Sequence, residues 1–211
     1  MILYRLCQGI VRAGWPLVGG RLRVRGTENI PSTGPFLLIA NHQSVLDPIL
    51  IQAVCPRVLH TMAKSTQFAS PPMRWLMAQL QSFPVRRFQI DPQAVRHALR
   101  RLAEGQGVGI YIEGERSWDG RLQAPRRGTV RLILRAGVPV VPAAIAGSYE
   151  AWPRWDRALR RSDEAIVFGQ PLRWPAMVDR PEREPMVDAT ASELMSRIGD
   201  LLNAATRLRG R

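Results

Sequence analysis

Four short apolar runs constrain this chain more than any other feature. Phe36–Ala40, Gly107–Ile112, Val138–Ile145 and Ala165–Phe168 read as strands buried inside a sheet, the third interrupted by Pro139 and Pro142. Between them the apolar spacing becomes helical. Leu46, Ile49, Leu50 and Val54 lie close to one face of a helix over 45–54. Asp91-Pro92 caps a second helix, whose Val95, Ala98, Leu99 and Leu102 fall at i, i+3, i+4 and i+7 while Arg96, Arg100 and Arg101 take the other face. Further helices are expected over 73–80, introduced by Pro71 and Pro72, over 128–136, ended by Gly137, and over 189–208. Residues 58–63 and 83–87 complete the strands, and the turn-rich 26–35 and proline-studded 171–185 read as loops. Strands alternating with helices predict a single α/β domain with a central, largely parallel or mixed sheet flanked by helices. At 211 residues the chain buries a full core without disulfides or metal.

The first twenty residues have a different character. Arg5 and Arg12 interrupt the apolar run, which is too short for a spanning helix and unlike the continuous core of a signal peptide. Leu3, Leu6, Ile10, Trp15 and Leu17 make one apolar face, with both arginines snorkelling at its rim. Residues 1–20 are therefore expected to form an amphipathic helix that associates with a membrane, or one that caps the core, ahead of a domain over 21–211.

Charge narrows the partners. Thirty basic residues face seventeen acidic ones, for a net charge of +13, and every basic residue except Lys64 is arginine. Arginine grips phosphate with a rigid fork of donors, so the balance implies an anionic membrane surface, a phosphorylated substrate or nucleic acid. No helix-turn-helix, aromatic stacking platform or zinc pattern accompanies the charge, and no nucleic-acid partner is expected. Cys7 and Cys55 form no pair of metal-ligand spacing, nor do His42, His60 and His97, so no metal is expected.

In a sheet of this kind polar residues just past the strands line the site. Three segments qualify: Asn41-His42 through Asp47, Phe83-Pro-Val-Arg86-Arg87, and Glu113-Gly114-Glu115-Arg116-Ser117. A histidine near neutral pKa can take a proton from an alcohol, and a carboxylate on its other nitrogen fixes the tautomer. His42 and Asp47, five apart across a strand-to-helix turn, can meet in that way, or can simply cap the helix. Ser44 sits in no nucleophile elbow, which leaves a substrate hydroxyl as the nucleophile. Gly114 allows close backbone approach to a ligand, and Arg116, Arg86 and Arg87 suit a phosphate.

These blocks, in order over roughly residues 20–175, resemble the glycerolipid acyltransferase family, and within it most closely the 1-acylglycerol-3-phosphate acyltransferases. Asn41-His42 with Asp47 matches the family's N-H-x-x-x-x-D block, Phe83 to Arg87 its phenylalanine-led block, Glu113 to Ser117 its E-G-T-R-S block, and Val138 to Pro142 its V-P-[VI]-x-P block. The resemblance implies a glycerol-3-phosphate acyltransferase-like fold and an acyltransferase domain over 21–211. It implies that His42 and Asp47 are catalytic, and that an acyl thioester, from acyl-CoA or acyl carrier protein, is co-substrate with no resident cofactor. Arg86 or Arg87, with Glu113, Gly114, Arg116 and Ser117, would bind the acceptor, and Pro142 would help shape the site. The acceptor implied is lysophosphatidic acid, giving phosphatidic acid, at the cytoplasmic face of the cell membrane in a peripheral or monotopic protein. Glu115 stands where threonine is usual, which keeps another lyso-lipid, such as a lysophospholipid or lyso-ornithine lipid, open as acceptor.

Overall fold

Strands β1 (Leu22–Arg25), β2 (Phe36–Ala40), β3 (Leu59–Lys64), β4 (Ser82–Val85), β5 (Gly107–Tyr111), β6 (Val140–Ala146) and β7 (Glu164–Phe168) form one sheet in the order β1-β7-β6-β2-β5-β3-β4. This arrangement comes from a computed structural model that describes residues 2–210 except 88, 90 and 178–183. All pairings are parallel except β6 with β7, so the sheet is mixed and mostly parallel, as the alternating pattern predicts. Helices α1 (Ile2–Val18), α2 (Leu46–Val54), α3 (Pro71–Gln79), α4 (Pro92–Ala103), α5 (Arg127–Ala136), α6 (Ser148–Ala151) and α7 (Glu184–Arg209) complete the fold.

The alternation of side chains along β2 divides the core in two. Phe36, Leu38 and Ala40 pack with Leu46, Leu50 and Ile51 of α2 and Trp15 of α1. Leu37 and Ile39 face the other way, onto Ala98 of α4, Val130 of α5 and Leu194 of α7. Phe36, Leu37 and Ile39 are fully enclosed, each contributing on the order of 2 kcal/mol relative to exposure, which makes β2 the fixed centre of the sheet. The chain leaves β2 toward α2 on one face and leaves its neighbour β5 toward α5 on the opposite face. That divergence opens a crevice at the carboxyl ends of the two strands.

The local signals hold where they are strong. Asp91 accepts the Gln93 and Ala94 N–H groups at the start of α4, and Gly137 ends α5 in the left-handed region at φ 61°. Others were beyond reach of the pattern. β1 is an edge strand with one neighbour, too short to declare itself, and α6 is a single turn after β6. α7 begins at Glu184 rather than Ala189, with Pro185 accommodated in its first turn. Of the expected loop over 171–185, residues 178–183 lie outside the described residues and 184–185 are helical.

The amino-terminal helix is sorted differently from the expectation. Tyr4, Gln8 and Trp15 are buried and Val11 packs beside them, a stripe at helical spacing that docks α1 on α2 and the core. Trp15 thus lies opposite Leu6, Ile10 and Leu17, which are 56%, 61% and 79% exposed. Its indole donates to Glu164 Oε2 at 2.7 Å, and burial pushes the Glu164 carboxyl up to about 7. Arg5 and Arg12 do not snorkel alone. With Gln8 they donate to the carbonyls of Gln52 and Ala53 in the last turn of α2, which the helix leaves without internal partners, and to those of Cys55 and Pro56 just past it.

Candidate active site

His42 leaves β2 two residues past Ala40 and lies at the crevice. The Asn41 side chain pairs with both backbone groups of Ile145, at 3.0 and 2.9 Å, and so carries the ladder with β6 one step beyond the last β2 residue. From there the loop turns sharply, because one carboxylate gathers it. Asp47, fully buried in the first turn of α2, accepts the Gln43 and Ser44 N–H groups at 2.6 and 2.8 Å and His42 Nδ1 at 2.7 Å, all on Oδ2. The residue before α2, Val45, offers no side-chain cap, and Asp47 gathers the loop instead of capping the helix.

With the carboxylate on Nδ1, the proton sits there and Nε2 is the basic atom. Burial holds the imidazole below its ordinary value of 6.5, overriding the opposing pull of Asp47, and the Arg87 and Arg116 charges push the same way. His42 is therefore neutral near pH 7 and able to take a proton. Its ring stacks on Tyr111 at 4.0 Å between centroids, 18° from parallel. No sequence block marks Tyr111, the last residue of β5, as a partner of the histidine.

The loop after β5 holds the His42 loop from its other side. Glu113 Oε1 accepts the His42 N–H at 3.0 Å, and the Ser117 N–H donates to the His42 carbonyl at 2.8 Å. Burial pushes the Glu113 carboxyl up to about 8, so it is largely neutral at pH 7. Gly114 turns the chain at φ 72°, where a side chain would be strained and its Cβ would meet Arg126 Cγ at 2.8 Å. Ser117 directs its hydroxyl to Asp119 at 2.9 Å. A cleft of about 270 Å³ opens here, lined by Glu113, Glu115, Arg116, Ser117, Trp118 and Arg126 among others.

The arginines separate cleanly. Arg87 and Arg116 lie close enough to His42 for their charges to bear on its ring. Arg86 turns instead to Asp91, donating its backbone N–H to Oδ2 at 2.8 Å and placing Nε 3.5 Å from the same atom. Of the two, Arg86 is thus engaged with Asp91, and Arg87 is the one whose charge bears on His42. Pro142 stands apart from the arginines. It lies within β6 opposite Ile39, with its ring against Gly169, on the sheet face away from α2. Its V-P-V-V-P run alternates between the two cores.

Glu115 is not a bare carboxylate beside the cations. Its two oxygens pair with Arg126 and Arg154 at 3.1 and 3.2 Å. The Ser44 hydroxyl donates to the Trp152 carbonyl at 2.6 Å and accepts the Leu46 N–H, so it is no nucleophile for His42 to activate. Among the described residues no group of three or more His, Cys, Asp or Glu side chains is arranged to hold a metal ion.

This chain resembles proteins of known name. The family described as Acyltransferase matches residues 21–146. The chain is 26% identical over 208 residues to the 1-acyl-sn-glycerol-3-phosphate acyltransferase of Bacillus subtilis (strain 168), spanning 98% of this chain and 100% of that protein. Against the chloroplastic 1-acyl-sn-glycerol-3-phosphate acyltransferase BAT2 of Brassica napus it is 30% identical over 155 residues, 71% of this chain and 44% of that one. The crystal structure of the 1-acyl-sn-glycerophosphate (LPA) acyltransferase PlsC from Thermotoga maritima superposes with a TM-score of 0.76 at 23% identity, covering 94% of this chain and 79% of that one. That last likeness is one of fold.

Proposed function

The chain belongs to the acyltransferase family, and from that premise we propose that it moves a fatty acyl group from an acyl thioester to the free hydroxyl of lysophosphatidic acid, giving phosphatidic acid. The observation that carries the reading is the buried His42–Asp47 pair, 2.7 Å apart, with two arginine charges bearing on the imidazole. His42 Nε2 takes the proton of the acceptor hydroxyl as its oxygen bonds to the thioester carbonyl carbon. The tetrahedral intermediate collapses with loss of the thiolate, which leaves with the proton held by His42. Asp47 keeps the ring in the productive tautomer and steadies the imidazolium. Transfer is direct: the Ser44 and Ser117 hydroxyls, in the loops that hold His42, are engaged elsewhere.

Arg87 and Arg116 meet the phosphate of the acceptor. Glu115 does not argue for a different lyso-lipid, because its charge is already matched by Arg126 and Arg154. The donor is acyl-CoA or acyl carrier protein, used as co-substrate with no resident cofactor. Given wild-type protein, an acyl thioester and a panel of lyso-lipids, product forms fastest on the acceptor with a phosphate monoester. Transfer only to acceptors lacking that group overturns the assignment.

The same reading places the enzyme on an anionic membrane surface, at the cytoplasmic face where a water-soluble thioester reaches it. No helix among the described residues is long and apolar enough to cross a membrane. The exposed Leu6, Ile10 and Leu17 lie on the side of α1 away from the core, and α3 buries none of its residues and leaves Trp75 59% exposed. Such faces enter the interface while a chain of net charge +13 is drawn to anionic lipid. Ile10→Glu is expected to lower co-sedimentation with anionic vesicles while leaving the melting temperature unchanged. Undiminished binding would assign attachment to the basic surface alone.

A further inference from the structure

Arg154 belongs to none of the ordered sequence blocks. It follows α6 on the connection from β6 to β7, and β6 runs parallel to β2. The loop after β6 therefore reaches the same edge of the sheet as the loops after β2 and β5. Three contacts fix the Arg154 side chain there. Nη1 donates to the Arg116 carbonyl at 2.8 Å and pairs with Glu115 Oε2 at 3.2 Å, and the guanidinium lies 3.6 Å from the centroid of the Trp118 ring. Both polar contacts use Nη1, so among the described residues the Nε and Nη2 edge of the fork carries no hydrogen bond. The side chain is only 20% exposed. A guanidinium held this firmly, with an edge of donors unengaged, is pre-organised for a planar or tetrahedral oxyanion.

We propose that Arg154 is a further acceptor-binding residue, supplying a third guanidinium, beside Arg87 and Arg116, to the phosphate monoester of the acceptor. Glu115 is its tether. The carboxylate that departs from the family block reaches across to a residue that threonine could not hold by charge, and so brings Arg154 to the site. With Arg126 also on Glu115, four guanidiniums stand around one carboxylate, a cationic excess that favours a phosphate dianion over a zwitterionic head group. In support, burial and then mutual repulsion within the cluster hold Arg87 and Arg116 below the ordinary guanidinium value, Arg154 contributing to both. An anion bound among them relieves that repulsion.

The inference rests on the reading of lysophosphatidic acid as acceptor, and the test separates the two. Steady-state kinetics with an acyl thioester and lysophosphatidic acid are compared for wild type, Arg154→Gln, Arg154→Lys and Glu115→Gln, each with its melting temperature. Calorimetric titration with glycerol 3-phosphate accompanies them. Loss of a charge-assisted contact predicts a rise of about tenfold to a hundredfold in acceptor KM for Arg154→Gln. Donor KM and kcat at saturating acceptor stay near wild type, affinity for glycerol 3-phosphate falls in parallel, and Arg154→Lys recovers part of the loss. Glu115→Gln shifts acceptor KM in the same direction by a smaller factor. An unchanged acceptor KM in Arg154→Gln overturns the proposal, as does an equal fall in kcat for every substrate, which marks a brace for the Arg116 loop. If wild-type protein transfers no acyl group to lysophosphatidic acid, the acceptor assignment itself fails, and the role of Arg154 with it.

Discussion

Replacing His42 with alanine is expected to lower kcat for acyl transfer by ~10²–10⁴-fold, with both KM values close to wild type. The ring makes no other contribution of that size. Its backbone N–H and carbonyl hold Glu113 and Ser117, and those contacts survive the substitution. The pH dependence carries the same information. The base must be unprotonated to act, so kcat/KM rises with pH and reaches its plateau once His42 has lost its proton. Burial holds that midpoint below 6.5 in the free enzyme, and an anionic acceptor beside Arg87 and Arg116 screens their push and moves the midpoint of kcat upward. The alanine variant loses this limb. A variant that keeps it would assign the titration to another group.

Asp47 yields the second large effect, and two substitutions divide it. Asp47→Asn keeps an oxygen where Oδ2 stands, able to accept the Gln43, Ser44 and His42 donors, but removes the charge that steadies the imidazolium. A fall in kcat of ~10²-fold or more is expected, with a smaller change in stability. Asp47→Ala removes the acceptor entirely. It leaves two backbone N–H groups and Nδ1 without a partner in a fully buried position, at about 3 kcal/mol. For a chain of this length that is a melting-temperature loss of roughly 6–12 °C. Thermal melts beside kinetics distinguish the two roles. Equal stability of the two variants would mean that Asp47 does not organise the loop.

What was legible in the sequence follows the reach of each interaction. Apolar runs such as Phe36–Ala40 declare buried strands because both faces of each strand are covered. Asp91 and Gly137 declare helix ends because a cap is made by neighbours in the chain. His42 and Asp47 were legible for the same reason, being five residues apart with their bond spanning a single turn. Arg87 could be narrowed but not chosen, since the decision depends on Asp91 drawing Arg86 away. Beyond that range the signals fade. Tyr111 under His42, Glu113 accepting the His42 N–H, and Arg154 beside Arg116 each join segments that meet only after the sheet has formed. Pro142 shows the converse. A motif position suggested a site role, and only the sheet reveals which face its ring takes. On α1, hydrophobicity alone could not tell the stripe that docks, through Tyr4, Gln8, Val11 and Trp15, from the stripe that remains exposed.

The central claim is that His42 activates the hydroxyl of the acceptor for direct transfer. Thiol release, followed after mixing excess enzyme with an acyl thioester, tests it most directly. The account predicts no stoichiometric release until lysophosphatidic acid is added, then release matched by phosphatidic acid, slowed ~10²–10⁴-fold in His42→Ala. One equivalent of thiol freed before any acceptor is present, with the acyl group left on the protein, would contradict it.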